Sequence, residues 1–286
     1  MTFPQDQREG TLIGRGRLFS SHMNARDDET TVVNKYTEMF HAPHQTLAKV
    51  LRATKEWTMS EEHSDSFVRI LDVRAHDHET MYVAEYADGY TLADWLRRAP
   101  RALSKQQKLD IALSLAIAVK DYIAYHNHIA QTCQTRTIPT ISTRSIFVFQ
   151  DAFDKVKCKL SLSFSPFATH GTFVSSANHQ DLFELAPEMF HEQRGTTKAS
   201  LMFGYGMMLY LLETEKVPHA NFSSVDDGGA SSMDFMRQVG HGLLPALPED
   251  IDPFFGGLIK STWSPNKLER PKFGTVIDLL RAERIV

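Results

Sequence analysis

STWSPNKLERPKF, residues 261–273, lies between two apolar segments, DPFFGGLIK before it and GTVIDLL after it. Both flanks repeat apolar residues at helical spacing, so each is expected to form an amphipathic helix. The link holds Trp263, a Ser-Pro-Asn turn, and then Arg270 between Glu269 and Pro271. Taken alone, an Arg before a Pro reads as an exposed cation at a helix end, with the Pro at the first helical position. The alternative is a buried guanidinium. That reading requires a carboxylate partner elsewhere in the chain, because one charge alone in a core is strongly destabilising.

The residues before this link divide into two textures. SLMFGYGMMLYLLETE (200–215) is apolar on all sides and is expected as a fully buried helix. LSKQQKLDIALSLAIAVKDYIAYHNH (103–128) reads as a long apolar helix with Ser104 as its N-cap. TLADWLRR (91–98) starts a short helix, and RSIFVFQ and VKCKLSLSF flank DAFDK as a hairpin. Before Gly89 the chain is strand-rich: TLIGRGRLFSSHM, TVVNKYTEMF, SFVRILDVR and TMYVAEYA are separated by polar turns. TLAKVLRATKEW interrupts them with Leu47, Val50, Leu51, Thr54 and Trp57 on one helical face. The expected class is α+β. A small lobe of five strands and one helix spans 1–88, a helical lobe spans 89–286, and together they form one domain.

Composition narrows the function classes. With 286 residues, 42% of them hydrophobic, the chain can bury one large domain or two lobes. A net charge of −4 leaves no global basic field for nucleic acid or anionic lipid. No apolar run approaches the roughly 18 residues of a membrane helix. The first residues, MTFPQDQREG, are polar, and a signal peptide is not expected. Cys133 and Cys158 are too few for a metal site or a disulfide framework, so reduced thiols are expected.

The order of elements, with its punctuation, resembles the protein kinase domain, closest in texture to the tyrosine and tyrosine-kinase-like groups. The resemblance runs from about Gly10 to the end. LAPEMF (185–190) is similar to the Ala-Pro-Glu segment that ends the kinase activation segment. LMFGYGMMLYLLETEKVPH is similar to the buried helix that follows it, and GLLPALPEDIDPFFGGLIKSTWSPNKLERPKFGTVIDLL to the closing pattern of the helical lobe. VAEYADGYTLADWL (83–96) is similar to the hinge and the helix after it. The resemblance implies that Arg270 pairs with Glu188 inside the helical lobe, where each charge can satisfy the other bidentately. Trp263, Pro265 and Phe273 at matching positions favour this buried pair over the exposed cation.

A kinase positions and neutralises phosphates, so it needs carboxylates at two places. With RSIFVF aligned to the strand after the catalytic loop, the catalytic Asp position holds Thr140 and the metal-binding Asn position holds Ser145. Residues 122–150 contain no Asp or Glu, so a shift of register does not supply the base. In KLSLSFSPFATHG, Ser163 falls at the metal-binding Asp and Phe164 at the Phe after it. Residues 155–180 contain no acid either, which leaves Mg²⁺ without a hard anionic ligand in that segment.

The first lobe keeps part of a nucleotide cleft. IGRGRLF holds Gly14 and Gly16 but Phe19 at the third glycine position; the two glycines are either turn residues or the remnant of a phosphate loop. Lys35 falls at the strand lysine that holds phosphates, an exposed strand lysine being the alternative. The Glu expected on the helix as its partner is replaced by Thr54. Ala84 takes the gatekeeper position, and backbone groups at Glu85 and Ala87 take the hinge positions that bond an adenine edge. His126 and His128 read as helix-end histidines suited to the helix dipole.

These residues lead to an expectation of a catalytically inactive pseudokinase, a protein-binding scaffold or allosteric regulator in signalling. The alternative is an atypical nucleotide-dependent transferase on a kinase fold, using Lys35 with Asp151, Asp154 or Asp181. No cofactor and no metal site are expected, and any residual ATP binding should be weak and metal-independent. The expected partners are other proteins, an active kinase or its substrate among them, rather than nucleic acid or membrane. The expected location is cytoplasmic.

Overall fold

The computed structural model describes residues 11–15, 19–25, 31–37, 44–63, 65–76, 79–87, 91–98, 102–133, 141, 143–150, 156–162, 185–191, 197–219 and 237–285. The first lobe is an antiparallel five-stranded sheet ordered β1-β2-β3-β5-β4. Its strands are β1 (Thr11–Arg15), β2 (Phe19–Ala25), β3 (Thr31–Thr37), β4 (Ile70–His76) and β5 (Glu79–Glu85). Helix α1 (His44–Met59) packs on β4 and β5. It buries the expected stripe of Leu47, Val50, Leu51 and Thr54, while Lys49 and Glu56 face solvent.

The helical lobe begins at α2 (Leu92–Arg98) and is built on α3 (Lys105–Cys133). Ser104 caps α3 as expected. Its hydroxyl accepts from the Gln107 amide (3.2 Å), and the Gln107 side chain accepts from the Ser104 amide (2.9 Å), so both free N–H groups are satisfied. A short hairpin of β6 (Ile146–Gln150) and β7 (Val156–Leu160) follows. Further helices are α4 (Glu188–His191), α5 (Lys198–Thr214), α6 (Pro253–Thr262) and α7 (Phe273–Glu283). Helix α5 is buried on all sides, as its uniform apolarity requires. It meets the end of α6 so closely that a Cβ on Gly206 would lie 2.3 Å from Thr262 Oγ1 and 2.7 Å from the Trp263 ring. The glycine is there for backbone approach.

The two lobes share backbone bonds. The Val68 amide donates to the Leu160 carbonyl (3.0 Å) and the Leu160 amide to the Ser66 carbonyl (2.9 Å). The segment before β4 therefore extends the pairing of β7.

The reading of His126 as a helix-end cation is corrected. Helix α3 runs on to Cys133, so His126 lies well inside it. It is buried against Tyr122 and Tyr125, and its Nε2 finds no hydrogen-bond partner among the described residues. Burial lowers its imidazole from 6.5 to about 4. The folded chain thus refuses a proton that the unfolded chain accepts below about pH 6.5, and stability falls as pH drops from there towards 4. His126 alone should contribute about 2 kcal/mol of loss at pH 5, read as the difference between wild type and His126→Phe in the change of urea midpoints between pH 7.5 and 5. His126→Phe should flatten the slope without abolishing it, because burial also lowers His219 to about 4. A slope indifferent to that substitution would contradict the assignment.

Candidate functional site

One face of β3 and β5 carries Lys35, Tyr82 and Ala84. Lys35 lies opposite Tyr82 in the β3–β5 register, with its Nζ 5.5 Å from the centre of the Tyr82 ring. Among the described residues no carboxylate reaches ion-pair distance of Lys35, and burial lowers its amine to about 8. Burial, with Tyr125 adding, pushes the Tyr82 phenol up. A neutral ring beside a desolvated amine offers attraction without a countercharge.

Thr54 occupies the place where an acidic partner of Lys35 was looked for, and its hydroxyl serves a different contact. It donates to the Val50 carbonyl (2.7 Å) and lies 2.7 Å from the Tyr125 hydroxyl. Since the single Thr proton goes to Val50, Tyr125 is the donor of the second bond. Helix α1 is therefore bonded to α3 at this point.

The hinge residues behave unequally. Ala84 and Ala87 are buried. The Glu85 amide donates to the Arg69 carbonyl (3.1 Å), so that N–H is engaged within the fold. Its carboxylate, 10% exposed, turns behind the hinge. There it accepts from Lys159 Nζ (2.6 Å), Arg69 Nε (2.8 Å) and the Arg69 amide (2.9 Å). Lys159 is itself buried; desolvation lowers its amine, and Glu85 opposes that shift. Lys157, beside it on β7, pairs with Asp65. Glu85 thus ties the hinge of one lobe to a strand of the other.

Gly14 lies within β1 opposite Ser21, next to a register irregularity, and so sits in a strand rather than in a turn. Phe19 opens β2. Ser145 ends a 3-10 turn, and its carbonyl accepts from the Ser161 amide (2.7 Å). Gly16, Thr140, Ser163, Asp151, Asp154 and Asp181 lie outside the described residues. Among the described residues no group of three or more His, Cys, Asp or Glu is arranged to hold a metal ion.

The structure brings Arg270 and Glu188 together. Arg270 Nη1 and Nη2 donate to the two Glu188 carboxylate oxygens at 2.6 and 2.9 Å. The guanidinium also donates to the carbonyls of Ser264 (2.9 Å) and Ala199 (3.0 Å) and lies over the Phe203 ring. Its side chain is fully buried.

The family described as "Protein tyrosine and serine/threonine kinase" matches residues 13–280. The chain belongs to the protein kinase family. This kinase-family chain is 27% identical over 202 residues to "Probable serine/threonine-protein kinase roco5" of Dictyostelium discoideum, covering 67% of the chain and 7% of that protein. It is 23% identical over 219 residues to "RGS domain-containing serine/threonine-protein kinase A" of the same organism, covering 76% of the chain and 17% of that protein. It is also 28% identical over 98 residues to "Scaffold protein ILK" of Homo sapiens, covering 34% of the chain and 20% of that protein. The chain thus spans a small part of the length of each relative.

In this kinase fold four participants were missed in the sequence: Arg69, Tyr82, Tyr125 and Lys159. Lys159 alternates with Lys157 along a hairpin strand, a pattern that reads as a solvated face. Tyr125 reads as one more apolar position of α3. Neither carries a local sign of its partner.

Proposed function

We propose that this chain is a non-catalytic pseudokinase that acts as a protein-binding scaffold or allosteric regulator. The observation that carries the reading is the absence of any Asp or Glu from residues 122–150 and 155–180. Those are the segments that would supply the proton acceptor and the magnesium ligand of phosphoryl transfer. Lys35 supports it further, since the threonine at its partner's position is bonded to Tyr125. Similarity to a protein named as a scaffold agrees with the reading. The partners proposed are other proteins, an active kinase or its substrate among them, in the cytoplasm. On this reading Ala84, Glu85 and Ala87 remain as the hinge positions at which an adenine ring would bind without metal.

The test is incubation of purified protein with labelled ATP, Mg²⁺ or Mn²⁺ and generic protein substrates, alongside thermal melting with ATP in the presence and absence of metal. No transfer is expected, and no metal-dependent rise in Tm. Labelling that disappears in Lys35→Met would overturn the proposal. A metal-dependent rise in Tm would favour the atypical transferase reading.

A further inference from the structure

We infer that α1 is fastened to α3 through the Thr54–Tyr125 hydroxyl bond, so that the small lobe keeps its position on the helical lobe whatever occupies the cleft. The inference concerns the fold's mechanics and is independent of whether the chain transfers phosphate.

The observations come from separate elements along one seam. Thr54 is fully buried; its bond to the Val50 carbonyl is internal to α1, and its bond to Tyr125 holds only when that face of α1 points at α3, so the Tyr125 bond fixes the helix's rotation as well as its distance. One turn further on, Trp57 presents its ring to the Tyr125 edge (5.9 Å). Trp57 also stacks on His63 at 4.1 Å with an 8° interplanar angle, which holds the turn after α1 against the helix. Past that turn, the Ser66 hydroxyl donates to Asp121 of α3 (3.2 Å). Then come the paired backbone bonds of Ser66 and Val68 with Leu160 of β7. Helix and strand entry are thus each tied to the helical lobe, and the turn between them is stacked on the helix.

Among the described residues nothing comparable links α1 to the sheet lysine. Lys35 has the Tyr82 ring as its contact, and at the position suited to an acid the chain carries Thr54. A helix held by an ion pair to a cleft lysine would respond to whatever competes for that amine. A helix held by a buried hydroxyl bond to α3 does not.

The test is hydrogen exchange on the full chain, with wild type, Thr54→Val, Tyr125→Phe and Lys35→Met compared with and without ATP and Mg²⁺. Both hydroxyl deletions nearly preserve side-chain shape. Each should speed exchange in residues 44–59 by about tenfold, the expected effect of losing one buried hydrogen bond, and leave residues 253–283 unchanged. Lys35→Met and nucleotide should leave residues 44–59 within about twofold of wild type. Unchanged exchange in both deletions would overturn the inference, as would release of α1 by Lys35→Met or added protection by nucleotide. Loss of protection throughout the chain in both deletions would also overturn it, because the pair would then be a requirement for folding rather than a local fastening.

Discussion

Arg270→Ala is expected to destabilise the fold by on the order of 3–5 kcal/mol. The guanidinium is fully buried; four of its five N–H groups donate, to both Glu188 oxygens and to the Ser264 and Ala199 carbonyls, and it lies over the Phe203 ring. Truncation leaves the Glu188 carboxylate, 11% exposed, without its countercharge at the start of α4. It also leaves two carbonyls without this donor and a void beside α5. The stranded charge dominates, because desolvating a carboxylate costs more than any one of the neutral bonds contributes. For a chain of this size the expected fall in Tm is roughly 10 °C. Arg270→Lys should lose less, since it keeps the charge but not the two-pronged geometry. An Arg270→Ala protein melting within about 2 °C of wild type would show that the pair does not hold the lobe.

Glu85→Ala is expected to destabilise by about 3 kcal/mol, through the lysine it leaves behind. Lys159 is 8% exposed and faces the Phe149 ring, with Glu85 as its ion-pair partner. Arg69 is 42% exposed and can turn to water, so it adds little to the loss. The effect should therefore be asymmetric. Lys159→Met replaces the buried amine with an apolar chain of similar length and leaves Glu85 its two bonds to Arg69, so near-neutral stability is expected. The double variant Glu85→Gln with Lys159→Met should recover most of what Glu85→Ala loses, because no charge is stranded. Urea midpoints at constant m measure all three. Equal losses in Glu85→Ala and Lys159→Met would mean that the pair contributes net attraction and that the stranded charge is not the cause.

The two-lobed α+β architecture was legible from locally encoded features, and its kinase character from the resemblance of the 185–190, 83–96 and closing motifs to that family. Alternating strands before Gly89, the uniformly apolar segment 200–215, the Ser104 cap and the Arg270-Pro271 link all report on their own neighbourhoods within a few residues, and the structure forms the elements they predict. Glu188 and Arg270, although 82 residues apart, were found together because both lie in motifs of a recurring pattern. The candidate site was legible chiefly as a shortage of carboxylates, which a sequence displays directly.

The sequence by itself determined the two-lobed architecture and the acid-free segments, because strand and helix periodicity and residue identity are properties of short windows. Only the tertiary structure decided that Thr54 bonds Tyr125, 71 residues away, and that Glu85 holds Lys159, 74 residues away. It also decided that His126 is held neutral inside α3. The physical reason is common to all three. A hydroxyl, an amine or an imidazole behaves according to the water it has lost and the partner it has gained. Both are set by whichever distant segment packs against it.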